Sequence, residues 1–188
     1  MRICAFLGSP RKNGNTAHLL NWVLEEAKNA GNETELVYLQ DKKISGCTEC
    51  FLCQKVIDKP GCSVKDDMQE LYLKILKADC IIIASPVFCC WFSAQTKLFF
   101  DRMYCLIKHL ENGKFISLLK GKLCGLVVTA GDDKSGGADM VVESYKRITK
   151  GYEMKDIGNL VALNISTKED LLKLELKEAA RKFARNIE

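Results

Sequence analysis

Gly8-Ser9-Pro10-Arg11-Lys12-Asn13-Gly14-Asn15-Thr16 follows directly on the apolar run Ile3-Cys4-Ala5-Phe6-Leu7 and precedes a helical pattern that begins at Ala17. A short, continuous apolar run marks a parallel strand buried on both faces, and the chain beyond it must turn sharply before a helix can pack back on the sheet. Gly8 and Gly14 permit that turn. Ser9, Asn13, Asn15 and Thr16 bring side-chain donors, Arg11 brings charge, and the first free N–H groups of the helix point at the same place. The stretch reads as an anion cradle; the bland alternative is a tight strand-to-helix turn with no ligand.

What is absent narrows the anion. The dinucleotide pattern G-x-G-x-x-G is missing, no acid stands about 20 residues on to hold a ribose, and the Walker Gly-Lys-Ser/Thr is missing too. A loop of hydroxyls and amides closing on one terminal phosphate suits a mononucleotide, of which FMN is the common one in open α/β sheets.

Outward from this loop, strand and helix alternate five times. Residues 17–27 repeat apolar positions at helical spacing, with Asn15 or Thr16 as cap and Gly31 as stop, and a second strand covers 35–39. Residues 40–65 form an insertion without period. A helix over 68–77 leads to a third strand over 79–85, halted by Pro86, which cannot donate to a ladder. A helix over about 94–110, a fourth strand over 123–129, a helix over about 138–150 and a fifth strand near 157–165 follow. The last helix opens on a capping box at Thr167 or Ser166 and buries Leu172, Leu176, Ala179, Ala180 and Phe183. The fold class is thus a doubly wound α/β domain over 1–188, with a five-stranded parallel sheet, a cysteine-rich insertion after strand two, and ligands at the carboxyl ends of the strands.

The net charge of +4 comes from scattered lysines, which argues against nucleic acid. Met1-Arg2 runs straight into the first strand with no secretory signal, and no apolar run approaches the roughly 18 residues of a membrane span, so a cytoplasmic protein is expected. The only histidines, His18 and His109, fall in helical patterns, leaving little for a histidine-based hydrolase.

Ten cysteines are many for such a chain. Four stand as Cys47-x2-Cys50-x2-Cys53-x8-Cys62, and three thiolates at this spacing can wrap one corner of a cubane cluster, with Cys62 after the Pro60-Gly61 turn as fourth ligand. The same loop is open to zinc, to a dithiol redox pair, or to plain reduced thiols. Cys4, Cys80, Cys124 and Cys105 read as small buried residues. Cys89 and Cys90 lie in the loop after strand three, where they either meet a bound ring or merely pack.

With Ser85-Pro86-Val87-Phe88, Asp66-Asp67-Met68 and Ser93-Ala94-Gln95-Thr96-Lys97 leading to Asp101-Arg102 added to the phosphate loop and the cysteines, the chain resembles the flavodoxin-like NADPH-dependent FMN reductase superfamily, most of all its iron–sulfur flavoprotein branch. The resemblance implies an FMN phosphate held by Ser9, Arg11, Asn15 and Thr16. It places the isoalloxazine against Pro86, Val87, Phe88, Cys89, Cys90 and Trp91 and the loop of Thr129, Ala130 and Gly131. It also implies a homodimer or homotetramer whose neighbouring subunit completes the flavin site. Relatives often carry Tyr then Trp-Gly where this chain has Phe88-Cys89-Cys90, which removes a hydroxyl near the flavin.

The expected function is FMN-dependent electron transfer between NAD(P)H, a transient co-substrate, or a ferredoxin-type partner and an acceptor, through a 4Fe-4S cluster on Cys47, Cys50, Cys53 and Cys62. Hydride transfer needs no side-chain acid or base, so no catalytic residue is named. A clusterless reductase of a small-molecule acceptor such as a quinone, azo compound or free flavin is the alternative, and a thiol redox sensor a third.

Overall fold

The computed structural model describes residues 1–172 and 174–187. In chain order the elements are β1 (Arg2–Leu7), α1 (Asn15–Asn29), β2 (Glu33–Tyr38), α2 (Met68–Lys77), β3 (Cys80–Phe88), β4 (Trp91–Phe92), α3 (Ala94–Met103), β5 (Ile107–His109), β6 (Phe115–Ser117), β7 (Leu123–Thr129), α4 (Ala138–Gly151), β8 (Lys155–Ala162), α5 (Lys168–Leu171) and α6 (Leu174–Arg185). Five parallel strands run in the order β2-β1-β3-β7-β8, so the chain winds one way from β1 and the other way from β3, and β4 adds antiparallel to the end of β3. The crevice at such a reversal, at the carboxyl ends of the strands, is where ligands bind in doubly wound sheets.

The unbroken apolar runs follow from this layering, because alternate side chains enter different cores. Ile3, Ala5 and Leu7 of β1 with Cys80, Ile82 and Ala84 of β3 face α1 and α6. Cys4 and Phe6 with Ile81 and Ile83 face α2, α3 and α4. Phe6 meets Phe99 of α3 with ring centroids 4.5 Å apart.

Several expectations need correction, among them the fifth strand, which is β8 over Lys155–Ala162 and not 157–165. β2 begins at Glu33 and ends at Tyr38, two residues earlier than its apolar residues suggest at the start, with Leu39 in a tight helical turn. β3 runs through Pro86 to Phe88. The Ala84 carbonyl accepts from Gly8 N and so faces β1; residue 86, two places on, faces the same way beyond the end of β1, where no donor is needed. The helix expected over 94–110 stops at Met103, and residues 107–109 form a hairpin with 115–117. Gln54 overrides the local pattern there, its side chain donating to Ile107 O and accepting from His109 N. His109 consequently stacks on Tyr104 instead of lying on a helix.

The last helix is also split. Thr167 Oγ accepts from Asp170 N and the Asp170 carboxylate accepts from Thr167 N, so the capping box closes a separate single turn. Leu171 is buried in place of Leu172, which is exposed, while Ala180 and Phe183 of α6 are buried as expected.

The segment between β2 and α2, expected as an insertion over 40–65, has two tight helical turns, Leu39–Asp41 and Leu52–Lys55, and is held by buried polar groups. Arg102 of α3 is buried and donates to Asp66 Oδ2 at 2.6 Å, to Asp66 Oδ1 at 3.1 Å and to Ser45 O at 2.8 Å. Against the opposing effect of burial, that guanidinium and the N–H groups of Ser45 and Met68 hold the Asp66 carboxyl below its ordinary value. Gln69 Nε2 donates to Cys62 O and Val64 O. Asp66→Ala strands a buried guanidinium, and we expect a loss of about 3–5 kcal/mol in urea unfolding; an unchanged midpoint would show that the pair does not dock the insertion.

At the start of α4, Gly137 has φ +108° and a Cβ there would lie 2.3 Å from Cys90 Cα. Gly121 has φ +78° with open space around it. Gly121→Ala should cost about 1–2 kcal/mol, the backbone strain alone, and Gly137→Ala distinctly more; equal costs by denaturant melts would refute the packing of Gly137 on the β3–β4 turn.

Candidate functional site

The loops after β1, β3 and β7 meet at the carboxyl edge of the sheet. Gly8 is the closest approach: a Cβ there would stand 1.8 Å from Thr96 Oγ1 and 2.9 Å from Ser93 Oγ. Ser93 Oγ donates to Gly8 O at 2.7 Å and caps α3 by accepting from Thr96 N, while Ser93 N donates to Ser85 Oγ. One serine thus ties the ends of β1 and β3 to the start of α3.

The helix after the loop begins at Asn15, and its cap is Gly14 in place of the expected Asn15 or Thr16. Gly14 has no side chain to offer, and no acid lies in the first turn, so the leading N–H groups of a 15-residue helix are left for an outside acceptor. The side chains are more committed than their types suggest. Ser9 is buried and its Oγ donates to Arg11 O and accepts from Arg11 N. Thr16 Oγ and Thr129 Oγ share a hydrogen bond of 2.6 Å. Asn15 Nδ2 donates to Thr167 O. Arg11 and Asn13 are exposed at the rim. The cradle is therefore mainly backbone, with Arg11 as the nearby charge.

Residues 86–91 form the hairpin that projects past the sheet, with Phe88 paired to Trp91 and Cys89-Cys90 as the two-residue turn. Both turn residues have positive φ, +48° and +61°, the conformation of a type I′ turn that glycine and asparagine usually supply. Their thiols are exposed. Pro86 and Val87 are half-buried, Pro86 lies in register with Thr129, and Ala130 N donates to Ala162 O, so 86–91 and 129–131 flank one edge. The sequence-expected loop and platform are thereby brought together.

The second locus is a cavity of about 550 Å³ lined by Cys47, Cys50, Cys53 and Cys62, with Arg102, Tyr104 and Cys105 on its inner wall. Cys47 and Cys50 are exposed, Cys62 half-buried and Cys53 buried. Glu49 and Phe51 on either side of Cys50 both adopt the left-handed conformation, φ +53° and +56°. Each costs roughly 1–2 kcal/mol, strain that the loop tolerates while turning its thiols to one side. The Ser63 hydroxyl, 3.2 Å from Cys50 Sγ, with the Leu52 N–H and the Thr48 hydroxyl, holds the Cys50 thiol below its usual value. Burial pushes the thiols of Cys4, Cys80, Cys105 and Cys124 up to about 12, which makes them inert.

Among the described residues no three Cys, His, Asp or Glu side chains converge on one metal position. A four-iron cluster takes one thiolate at each corner, so four cysteines spread round a cavity of this volume suit it better than a tetrahedral zinc ion with sulfurs at about 2.3 Å. The donor set fits the cluster in type and number. Two buried cations back the cavity. Arg102 Nη2 lies 3.4 Å from Cys62 Sγ, and Lys108 Nζ donates to Cys53 O at 2.9 Å and Pro60 O at 2.8 Å. The helix expected over 94–110 hides Lys108, and Asp101-Arg102, part of the pattern that carries the resemblance, gives no sign that Arg102 is buried.

Residues 1–168 match a family model described as NADPH-dependent FMN reductase. The chain is 37% identical over 166 residues to an "Iron-sulfur flavoprotein" of Archaeoglobus fulgidus, covering 88% of this chain and 70% of that one. It is 35% identical over 144 residues to an "Iron-sulfur flavoprotein" of Methanosarcina thermophila, covering 77% and 70%. In fold it is similar to the NAD(P)H:quinone oxidoreductase from Methanothermobacter marburgensis, with TM-score 0.74, 18% identity, and 100% and 99% of the two chains covered. With the backbone cradle at the sheet reversal and a family match that begins at its first strand, the chain belongs to the NADPH-dependent FMN reductase family and is a flavin-dependent oxidoreductase.

Proposed function

We propose that the protein moves electrons between a reduced donor, NAD(P)H or a ferredoxin-type protein, and an acceptor, using FMN at the strand ends and a 4Fe-4S cluster on Cys47, Cys50, Cys53 and Cys62. The observation that carries the cluster is the cavity of about 550 Å³ with all four thiols in its wall, and the names of the relatives agree with it. Bound FMN supplies two-electron hydride chemistry and single-electron release, and a cluster supplies one-electron steps.

The chain's own residues do the rest by placement. The leading N–H groups of α1 and the Arg11 guanidinium take the phosphate, with Ser9, Asn13, Asn15 and Thr16 shaping the loop. Pro86, Val87, Phe88, Cys89, Cys90 and Trp91, facing Thr129, Ala130 and Gly131, form the platform for the ring. Exposed Phe88 on the hairpin and Met140 at the start of α4 are apolar surface for a second copy, so the working form is a homodimer or homotetramer. No described helix is long and apolar enough to cross a membrane, and the cytoplasm is the proposed location.

The alternative of a clusterless NAD(P)H-dependent reductase acting on a quinone, azo compound or free flavin is favoured by one feature, the exposure of the 88–90 turn beside the platform. Anaerobically purified protein should contain about four irons and four acid-labile sulfides per chain. Cys50→Ser should lose iron and ferredoxin-driven reduction; a variant that keeps both refutes the cluster. A wild-type protein with flavin bands and negligible iron would establish the clusterless reading.

Arg11→Ala removes a charge-assisted contact worth about 1.5–3 kcal/mol, so the FMN dissociation constant should rise about ten- to hundredfold. Riboflavin, which lacks the phosphate, should bind both forms alike. Parallel losses for FMN and riboflavin would place Arg11 away from the phosphate.

A further inference from the structure

Lys108 is fully buried, and among the described residues its ammonium donates to two acceptors, the carbonyls of Cys53 and Pro60. Among the described residues no carboxylate lies within ion-pair distance of it, and Asp58 acts on it only from farther off. The other buried cation of this region, Arg102, is paired in a two-pronged contact with Asp66. An unpaired ammonium is costly to bury, and two neutral carbonyls offset only part of that cost.

Stapling the loop does not by itself require a charge. Gln69 holds Cys62 O and Val64 O, and Gln54 holds the 107–109 strand, each through a neutral amide. At Lys108 the same task is given to a cation. Its two acceptors belong to one cysteine of the cavity and to the residue two places before another. Arg102 adds a second sign of an electron-rich neighbour: one guanidinium N–H reaches Cys62 Sγ, and among the described residues its buried Nε has no partner of its own.

We infer that Lys108 is the built-in counter-charge of the cysteine cavity, a positioning residue that favours a net-negative, thiolate-held occupant and raises the potential at which that occupant is reduced. The inference rests on the cluster reading above. Four thiolates around an iron–sulfur core carry net negative charge, reduction adds to it, and a fixed cation behind the ligands stabilises the reduced state more than the oxidised one.

The test uses full-length protein purified without oxygen as wild type, Lys108→Gln, Lys108→Met and Lys108→Arg, with iron, acid-labile sulfide and the separate midpoint potentials of cluster and flavin measured on each. Gln keeps hydrogen-bond donors without charge, and Arg keeps the charge. The cluster midpoint should move to more negative potential in Gln and Met, return toward wild type in Arg, and leave the flavin midpoints in place. Iron loss in Gln and Met but not in Arg also supports the counter-charge. Iron lost in Met alone, with a wild-type midpoint in Gln, makes Lys108 a neutral staple and overturns the inference, as does loss in all three variants or a full cluster with unmoved potential. In each of those cases the cluster itself stands. An iron-free wild type overturns the cluster and this inference together.

Discussion

The contact between Gly8 and the start of α3 is the constraint on which the site depends. Gly8 N donates to Ala84 O, its carbonyl accepts from Ser93 Oγ, and the space a Cβ would fill is taken by Thr96 Oγ1. β1 and β3 are neighbours where the winding of the sheet reverses. Their loops would naturally diverge, one toward α1 and the other into the β3–β4 hairpin. Ser93 draws them together, and it does so with bonds buried from water, where an unsatisfied partner is costly. Any residue larger than glycine at position 8 pushes apart the two loops whose meeting makes the crevice.

The two candidate sites are stabilised by opposite means. At the sheet edge the backbone is well paired and the free groups are N–H donors at a helix start, so the site is positive without a buried side-chain charge. At the cysteine cavity the loop is strained at Glu49 and Phe51, nearly without regular structure, and held from below by Arg102 and Lys108. A loop of this kind keeps its shape only where surrounding groups determine it. The buried ion pair to Asp66 supplies that determination, at a cost in desolvation.

Legibility in the sequence followed locality. α2 over Met68–Lys77 and β7 over Leu123–Thr129 agree with their patterns residue for residue, since each is a continuous local pattern that no distant contact interrupts. β3 outran Pro86 because the missing donor faces a gap that only the end of β1 creates, and α3 stopped short of residue 110 because Gln54 pairs with the chain there from more than fifty residues away. At the sheet edge, residue types pointed to a loop that does meet the loops after β3 and β7, but not to what each side chain does. Asn15 turns to Thr167, Thr16 to Thr129, and Ser9 back on its own loop, contacts that no period encodes. The cysteine spacing was plain in one dimension, whereas the cations behind it were not, because the burial of Lys108 is decided by the carbonyls of Cys53 and Pro60.

α3 connects these observations. Its first residues belong to the sheet-edge site through Ser93 and Thr96, and its last turn supplies Arg102 to the cysteine cavity. Arg102 stands nine positions along the helix from Ser93, a rise of about 14 Å. A helix is stiff along its axis, and this one is anchored at both ends, by Gly8 at the start and by Asp66 and Ser45 near the end. The cysteine insertion could not be docked through Arg102 at another depth without moving Ser93 and opening the crevice at Gly8. Two features that look independent in the sequence, a phosphate-type loop near the start and a cysteine cluster forty residues later, are therefore parts of one mechanical unit, with α3 fixing the distance between them.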